Sequence, residues 1–320
     1  MRRGWAPEAI NLQQTTRSLL ADHGGVELAR AAEREPATRV ERVRPALESI
    51  GLLDLDPQGD EVESSAAMLS VQACGEVVAP YPVTRVLGVP VDRRGDVDAV
   101  YLVDGVVDHL EHADLFERVV AVDVRDGHVD MLAAGAAVTP APLDPFGVAV
   151  GVSDERGRVS IPEPSAQMAH VLDAFWMSGA LESTTNDAAR YATTREQFGK
   201  AIGTFGEIRG RLAEMSVAVD GLQELAAYTW FLVHRGRATP SDVWALRLGM
   251  LEAAESVLRH GHQVFGAIGL CEETDLTVVD RHVSGLRLRP CGYARTTSLL
   301  VQAVDQFGFD GTFDVDPTRP

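Results

Sequence analysis

The sequence is poor in the features that mark secreted, membrane-spanning and metal-binding proteins. Its 320 residues include only three cysteines, Cys74, Cys271 and Cys291, which are too far apart to suggest a disulfide framework or a zinc ligand set. No apolar run reaches the roughly 18 residues that a membrane helix needs. The first residues also lack the apolar stretch of a signal peptide. We therefore expect a cytoplasmic protein with no membrane span and no metal.

Positive charge is also scarce. The chain has 47 acidic and 29 basic residues, a net charge of −18, and its only lysine is Lys200. A field of this sign repels phosphate backbones and anionic membranes, so we expect no nucleic-acid partner. A local cationic pocket remains compatible with this balance. The chain is long enough to bury a large core, and its 45% hydrophobic content is ordinary for a globular protein.

Several catalytic signatures are missing. The chain has no Gly-x-Ser-x-Gly elbow, no Gly-x-x-x-x-Gly-Lys-Ser/Thr loop and no strand-linked Gly-x-Gly-x-x-Gly turn. The histidine pairs His109/His112 and His260/His262 lack a further ligand at metal-binding spacing. Esterase, phosphate-loop, dinucleotide-fold and zinc-site functions are therefore not predicted.

The apolar periodicity divides the chain into three regions. Residues 8–80 and 163–307 have helical spacing, whereas residues 84–161 contain short β-branched runs separated by turn residues. A helix from about 204 to 234 has apolar residues at alternating spacings of three and four. The next helix is predicted to start near Ser241-Asp242, which suits an N-cap. We predict an α+β fold with an N-terminal helical domain (1–83), a small middle β domain (84–162), and a C-terminal four-helix bundle with an acidic tail (163–320).

Two helix junctions carry the residues that suggest binding. Arg195 and Phe198 lie at the first, where the guanidinium can bind a phosphate through two hydrogen bonds and the ring can cover another ring. Gln263 lies at the second, followed by Gly266, where an amide can pair with a purine edge and a glycine admits a ligand. Spacing alone also fits an ordinary interhelix turn and a glycine C-cap.

Taken together, the segments Arg195-Glu196-Gln197-Phe198-Gly199 and Gln263-Val264-Phe265-Gly266 resemble the flavin-binding turns of the acyl-CoA dehydrogenase family. Residues 211–215 and 75–82 resemble further family segments. The resemblance implies FAD as cofactor, with Arg195 near the pyrophosphate, Phe198 near the adenosine half, and Gln263 with Gly266 near the adenine. Phe205 and Gly206 stand where the family has a Phe-Gln pair, and Ala267 replaces a family glycine.

The resemblance fails at the family's catalytic base. In most members a glutamate in the last bundle loop removes the substrate proton, but the matching stretch 286–293 has no carboxylate. The other family location falls near Ala169 and His170, again without one, and Asp173 lies one helical turn further. Cys291 is interpreted as an ordinary loop cysteine. The stretch from Pro82 to Asp98 also lacks the family's Thr-rich, Gly-Ser segment against the flavin ring.

The chain keeps the turns that, in the family, reach into a neighbour's FAD site, but it lacks its own base. In this it resembles one group of the family. This is the shortened, base-less subunit of actinobacterial α2β2 acyl-CoA dehydrogenases that act on steroid-derived CoA thioesters. The resemblance implies a related catalytic partner chain carrying the base, FAD at the interface of unlike chains, an acyl-CoA substrate, and electron-transfer flavoprotein as acceptor. A flavin-free structural or regulatory chain, or a homomeric dehydrogenase with a relocated base such as Asp173, are the alternatives.

Overall fold

The N-terminal region is helical, as its periodicity predicts. The computed structural model describes residues 4–138, 144–152 and 160–309. Its first helices are α1 (Pro7–Asp22), α2 (Val26–Arg34), α3 (Arg44–Ser49), α4 (Glu61–Glu76) and α5 (Val83–Leu87). A π-helical turn, Arg39–Val43, leads into α3, and 3-10 turns at Leu52–Asp54 and Val91–Arg93 follow α3 and α5.

α4 is the most buried helix of this region. Asp60 caps it, because its carboxylate accepts hydrogen bonds from two backbone N–H groups of the first turn at 2.9 Å. Every residue from Ser64 to Gly75 is buried. A Cβ on Gly75 would lie 1.9 Å from the backbone oxygen of Trp176, in the first helix of the bundle. The two helices therefore pack backbone against backbone, and the N-terminal helices share one hydrophobic core with the bundle.

The middle region is a five-stranded sheet. Its strands are β1 (Ala99–Val103), β2 (His109–Glu111), β3 (Val119–Asp123), β4 (Val129–Val138) and β5 (Gly147–Val152), in the order β1-β3-β4-β5-β2. β1 and β3 run parallel, and the other paired strands are antiparallel. Both β1 and β3 are buried at every position, because each face of the sheet covers its own apolar cluster.

The C-terminal region is a helical bundle. It comprises α6 (Glu163–Thr194), the hairpin strands β6 (Glu196–Gln197) and β7 (Lys200–Ala201), α7 (Gly206–His234), α8 (Pro240–Phe265), α9 (Asp275–Leu288) and α10 (Tyr293–Phe307). The three long helices pack against one another, α9 packs on α6 and α8, and α10 packs on α8. The predicted fold class is confirmed: helices, a small sheet, then a helical bundle. The domain boundaries at 83/84 and 162/163 stay predictions.

The packing of α7 follows its predicted seam, but the predicted start of α8 is wrong by two residues. The α7 seam residues fully buried in the bundle are Met215, Val219, Leu222 and Ala226. The N-cap of α8 is Thr239 rather than Ser241-Asp242. Thr239 and Asp242 form a reciprocal capping box, in which each side chain accepts from the other's backbone N–H, so Asp242 occupies the third helical position.

The last helix reaches the end of the helical region predicted at residue 307, and the acidic tail follows it. α10 continues through Asp305 to Phe307, and the Ser241 hydroxyl donates to the backbone oxygen of Gly308 at 2.6 Å. Residues 310–320 of the tail lie outside the described residues. Within the described ranges, no helix is both long and apolar enough to cross a membrane, and no group of acidic, histidine or cysteine side chains is arranged to hold a metal ion.

Candidate functional site

The junction between α6 and α7 is an exposed hairpin with a strained tip. α6 ends at Thr194, and Arg195 follows it as an extended C-cap. Phe198 and Gly199 at the tip have φ angles of 54° and 76°, in the left-handed region that residues other than glycine rarely adopt. The Phe198 side chain is nevertheless 92% exposed. A large ring held in solvent on a strained backbone contributes little to folding, which points to contact with another molecule.

Phe198 lines an open cleft of about 410 Å³. Phe205 lies edge-on to Phe198, with ring centroids 6.2 Å apart, and Gln263 lines the cleft from the last turn of α8. The Lys200 ammonium group lies 4.4 Å from the centre of the Phe205 ring. The structure therefore brings together three predicted site residues, Phe198, Phe205 and Gln263, although they come from two separate motifs.

The junction after α8 lies beside this hairpin. Phe265, the last residue of α8, stacks on Tyr191 of α6 with ring centroids 4.7 Å apart. Gly266 then ends the helix with a φ of 65°, and Ala267 follows in the 3-10 turn Gly266–Leu270. The stack fixes the ends of α6 and α8 together. Gly266, Ala267 and Arg195 are exposed close to the cleft in sequence, but they are not among its lining residues.

Unpaired positive charge is available at this junction. The Arg195 side chain is exposed, and no acidic side chain in the described part of the chain forms an ion pair with it. Lys200 likewise has an aromatic contact and no ion pair among the described residues. In a chain with a net charge of −18, cations left without acidic partners are free to bind an anion such as a phosphate.

One side of the cleft was not predicted from the sequence. Arg211 lines it, held by Glu207 at 2.7 Å and by Nδ1 of His260 at 3.2 Å. Burial, with nearby arginines, lowers the pKa of His260 despite its 2.6 Å contact with Glu214. The i, i+4 spacing of Glu207 and Arg211 in the first turns of α7 was the signal that would have identified this pair.

The stretch 286–293, where a family member would carry its catalytic carboxylate, is part of an ion network. Arg289 contacts Glu111 at 2.5 Å and Asp144 at 2.9 Å. Glu111 also contacts Arg85 at 3.4 Å, and Arg85 pairs with Asp173 at 3.0 Å. We call these five side chains the interdomain ion network, because they come from the N-terminal helices, the sheet and the bundle.

The interdomain ion network leaves only a small cavity beside the stretch 286–293. Burial disfavours the charged form of Glu111, but Arg289 and Arg85 outweigh that effect and hold the pKa of Glu111 below its usual value. The cavity beside the network has a volume of about 60 Å³. That space admits a few water molecules and is far too small for a three-ring flavin. Among the described residues, this stretch therefore offers neither a catalytic carboxylate nor space for a flavin ring next to it.

Asp173, the alternative base, is engaged in the same network. Its side chain is buried, with the residue 2% exposed, and it pairs with the Arg85 guanidinium. A general base must come within hydrogen-bond reach of the proton that it removes. The buried ion pair gives Asp173 no such access in this structure.

Comparison with known proteins agrees with this architecture. Residues 171–290 match the family model described as acyl-CoA dehydrogenase, C-terminal domain. The chain is 25% identical over 293 residues to the acyl-CoA dehydrogenase IpdE2 of Mycobacterium tuberculosis, covering 86% of this chain and 90% of that relative. The resemblance seen in the sequence motifs is therefore confirmed.

Solved structures share the fold over nearly the whole chain. The ChsE4–ChsE5 complex of Mycobacterium tuberculosis superposes with a TM-score of 0.80 at 16% identity, covering 96% of this chain and 99% of the matched chain. A variant of the Tcur3481–Tcur3483 steroid acyl-CoA dehydrogenase gives a TM-score of 0.78 at 17% identity, covering 93% and 98%. At these identities the likeness establishes the fold alone.

Proposed function

We propose that this chain, a member of the acyl-CoA dehydrogenase family, is a subunit of an FAD-dependent dehydrogenase and helps to bind FAD held mainly by a catalytic partner chain. The observation that carries the proposal is the cleft at the α6–α7 hairpin. It combines two aromatic rings and an amide with neighbouring cations that have no acidic partner among the described residues, on a strongly acidic protein. FAD, when bound, supplies the hydride acceptor of the family's α,β-dehydrogenation.

The side chains at the cleft fit the adenosine diphosphate half of FAD. The guanidinium of Arg195 is the ligand for the pyrophosphate, because it is exposed and has no acidic partner among the described residues. Phe198 and Phe205 provide apolar faces for the adenosine. Gln263 offers a donor and an acceptor for the adenine edge, and the exposed Gly266 and Ala267 allow a close backbone approach.

The reaction's base and the flavin ring belong, in this proposal, to the partner. The interdomain ion network occupies the region where this chain would need a carboxylate, and its 60 Å³ cavity excludes a flavin ring. A heteromer explains why one half of a flavin site is present and the other is not. The ChsE4–ChsE5 complex, in which a matched chain shares this fold, supports a partner chain for this protein. We propose that the assembly is an α2β2 heterotetramer with a related catalytic chain.

We infer a bulky acyl-CoA as substrate, with steroid-derived thioesters as the expected class. The support is the fold shared with a structure named as a steroid acyl-CoA dehydrogenase, together with the sequence resemblance. In the same proposal electron-transfer flavoprotein is the acceptor and the cytoplasm the location.

Co-purification with a candidate partner tests the assembly. The chain is co-expressed with a candidate related dehydrogenase, and the native mass and the FAD content are measured. A yellow heteromeric complex with about one FAD per pair of unlike chains is expected. Full FAD occupancy and turnover by this chain alone would contradict the proposal and favour the homomeric alternative, in which Asp173→Asn should abolish turnover.

A flavin-free structural or regulatory role is the second candidate. The interdomain ion network favours it, because these ion pairs connect all three regions through the chain's own side chains. The two functions differ at Arg195: its replacement should weaken FAD binding by the complex if the chain contributes to the site, and should change nothing if the chain is structural.

A further inference from the structure

A wide cleft lies between the sheet and the bundle, apart from the cleft at Phe198. Its volume is about 590 Å³, and it shares no lining residue with the cleft at Phe198. The apolar side chains of its walls come from β1, β3, α6, α8 and α10, among them Leu102, Val122, Ala166, Val243, Leu299 and Ala303. Sites for small organic molecules typically have this size and this mainly apolar lining.

One buried polar side chain in the cleft has no hydrogen-bond partner among the residues that the structure describes. His170 lines the cleft and is 7% exposed, and its ring nitrogens form no hydrogen bond within the described part of the chain. Its ring meets that of Trp244 edge-on, with centroids 5.2 Å apart. Burial, reinforced by Arg247 and Arg85, lowers the pKa of His170 to about 3. The imidazole is therefore neutral at pH 7 and offers one donor and one acceptor.

The ionised groups of the cleft select against anions. Among the described residues, three carboxylates line it, those of Asp123, Asp126 and Glu163, against one guanidinium, that of Arg125. Arg125 is already paired with Asp123. A nucleotide, a CoA thioester or a fatty-acid anion would meet described lining residues of net negative charge. The apolar walls and the neutral imidazole favour an uncharged ligand instead.

We propose that this cleft binds a neutral, largely apolar molecule of ring-system size that carries a carbonyl or hydroxyl group, and that His170 forms the hydrogen bond to that group. The His170 N–H donates to a carbonyl oxygen, or its unprotonated nitrogen accepts from a hydroxyl. Neutral steroid ketones and sterols belong to this class. The site is distinct from the cleft at Phe198 and does not depend on the proposed function, because the two clefts share no residue.

Titration of the purified full chain with progesterone, a neutral steroid ketone, tests the proposal. Binding is followed by calorimetry, with cholate as an anionic steroid of similar size. Saturable binding of progesterone at one site, with much weaker binding of cholate, is expected. Absence of saturable progesterone binding, or equal binding of cholate, would overturn the proposal.

Two variants locate the site. Ala166→Phe fills the cleft from a partly exposed position on α6 and should abolish binding, whereas Ala294→Phe, at an exposed position of α10 outside the cleft, should leave it unchanged. His170→Leu removes the hydrogen bond and should weaken progesterone binding about five- to tenfold. Circular dichroism confirms that each variant is folded. Binding that survives in folded Ala166→Phe would place the ligand elsewhere and refute the assignment.

Discussion

If this chain contributes to an FAD site in a heteromer, as proposed, replacing Arg195 with alanine should weaken FAD binding by that complex without destabilising this chain. The Arg195 side chain is exposed and has no ion pair among the described residues, so its loss removes no internal contact of that kind. Its backbone is extended, a conformation that alanine adopts freely. A hydrogen bond to a charged group contributes about 1.5–3 kcal/mol, which corresponds to a roughly ten- to hundredfold loss of FAD affinity.

The assay compares three variants of the complex after removal of the flavin. FAD is titrated back, and quenching of flavin fluorescence gives the dissociation constant. Arg237→Ala is the matched control, because Arg237 is also exposed and has no ion pair among the described residues, and its removal changes the net charge equally. Arg195→Lys should give an intermediate loss, since an ammonium group keeps the charge but not the paired hydrogen bonds.

Two results would refute this reasoning. Equal FAD affinity in Arg195→Ala and Arg237→Ala would show that Arg195 makes no specific contact with FAD and that any effect comes from net charge alone. A lowered melting temperature of the isolated Arg195→Ala chain would show that the arginine stabilises the hairpin rather than the cofactor.

Three further predictions concern the fold that positions the sites. Arg85→Leu leaves carboxylates of the interdomain ion network unpaired, so the free energy of unfolding measured in urea should fall by about 3–5 kcal/mol. The control Arg44→Ala breaks an exposed ion pair and should lower it by less than about 1 kcal/mol. Equal losses in the two variants would contradict a stabilising role for the buried network. Gly75→Ala places a Cβ 1.9 Å from a backbone oxygen of α6 and should destabilise the chain by about 1–3 kcal/mol or more. Gly210→Ala, on α7 with open space around it, should instead stabilise it by up to about 1 kcal/mol in the same urea titration. Burial lowers the pKa of His170 from its ordinary value of 6.5 to about 3 in the folded chain. Between these pH values the unfolded chain binds a proton that the folded chain excludes, so the free energy of unfolding falls as the pH drops from 6.5 toward 3. His170→Leu should reduce the slope of stability against pH in that window by up to about 1.4 kcal/mol per pH unit, and an unchanged slope would show that His170 is not buried as a neutral ring.

Several features of the fold could be predicted because they depend on local pattern. The alternating spacing of α7 identified its buried seam, and the β-branched runs identified β1 and β3. The start of α8 was misplaced, since Ser, Thr and Asp at 239–242 all suit an N-cap and only the capping box distinguishes them.

At the candidate site, too, some features follow from the sequence and others only from the packing. The amino-acid sequence alone determined which residues have the chemistry for a dinucleotide, Arg195, Phe198 and Gln263, and that no carboxylate lies in the stretch 286–293. Only the tertiary structure decided that the two junctions form one cleft, that Arg211 belongs to it, and that Arg289 closes an ion network with residues far away in the chain. The physical reason is that side-chain type and helical spacing are local properties. Which charges meet, and how much space they leave, depends on how distant helices and strands pack.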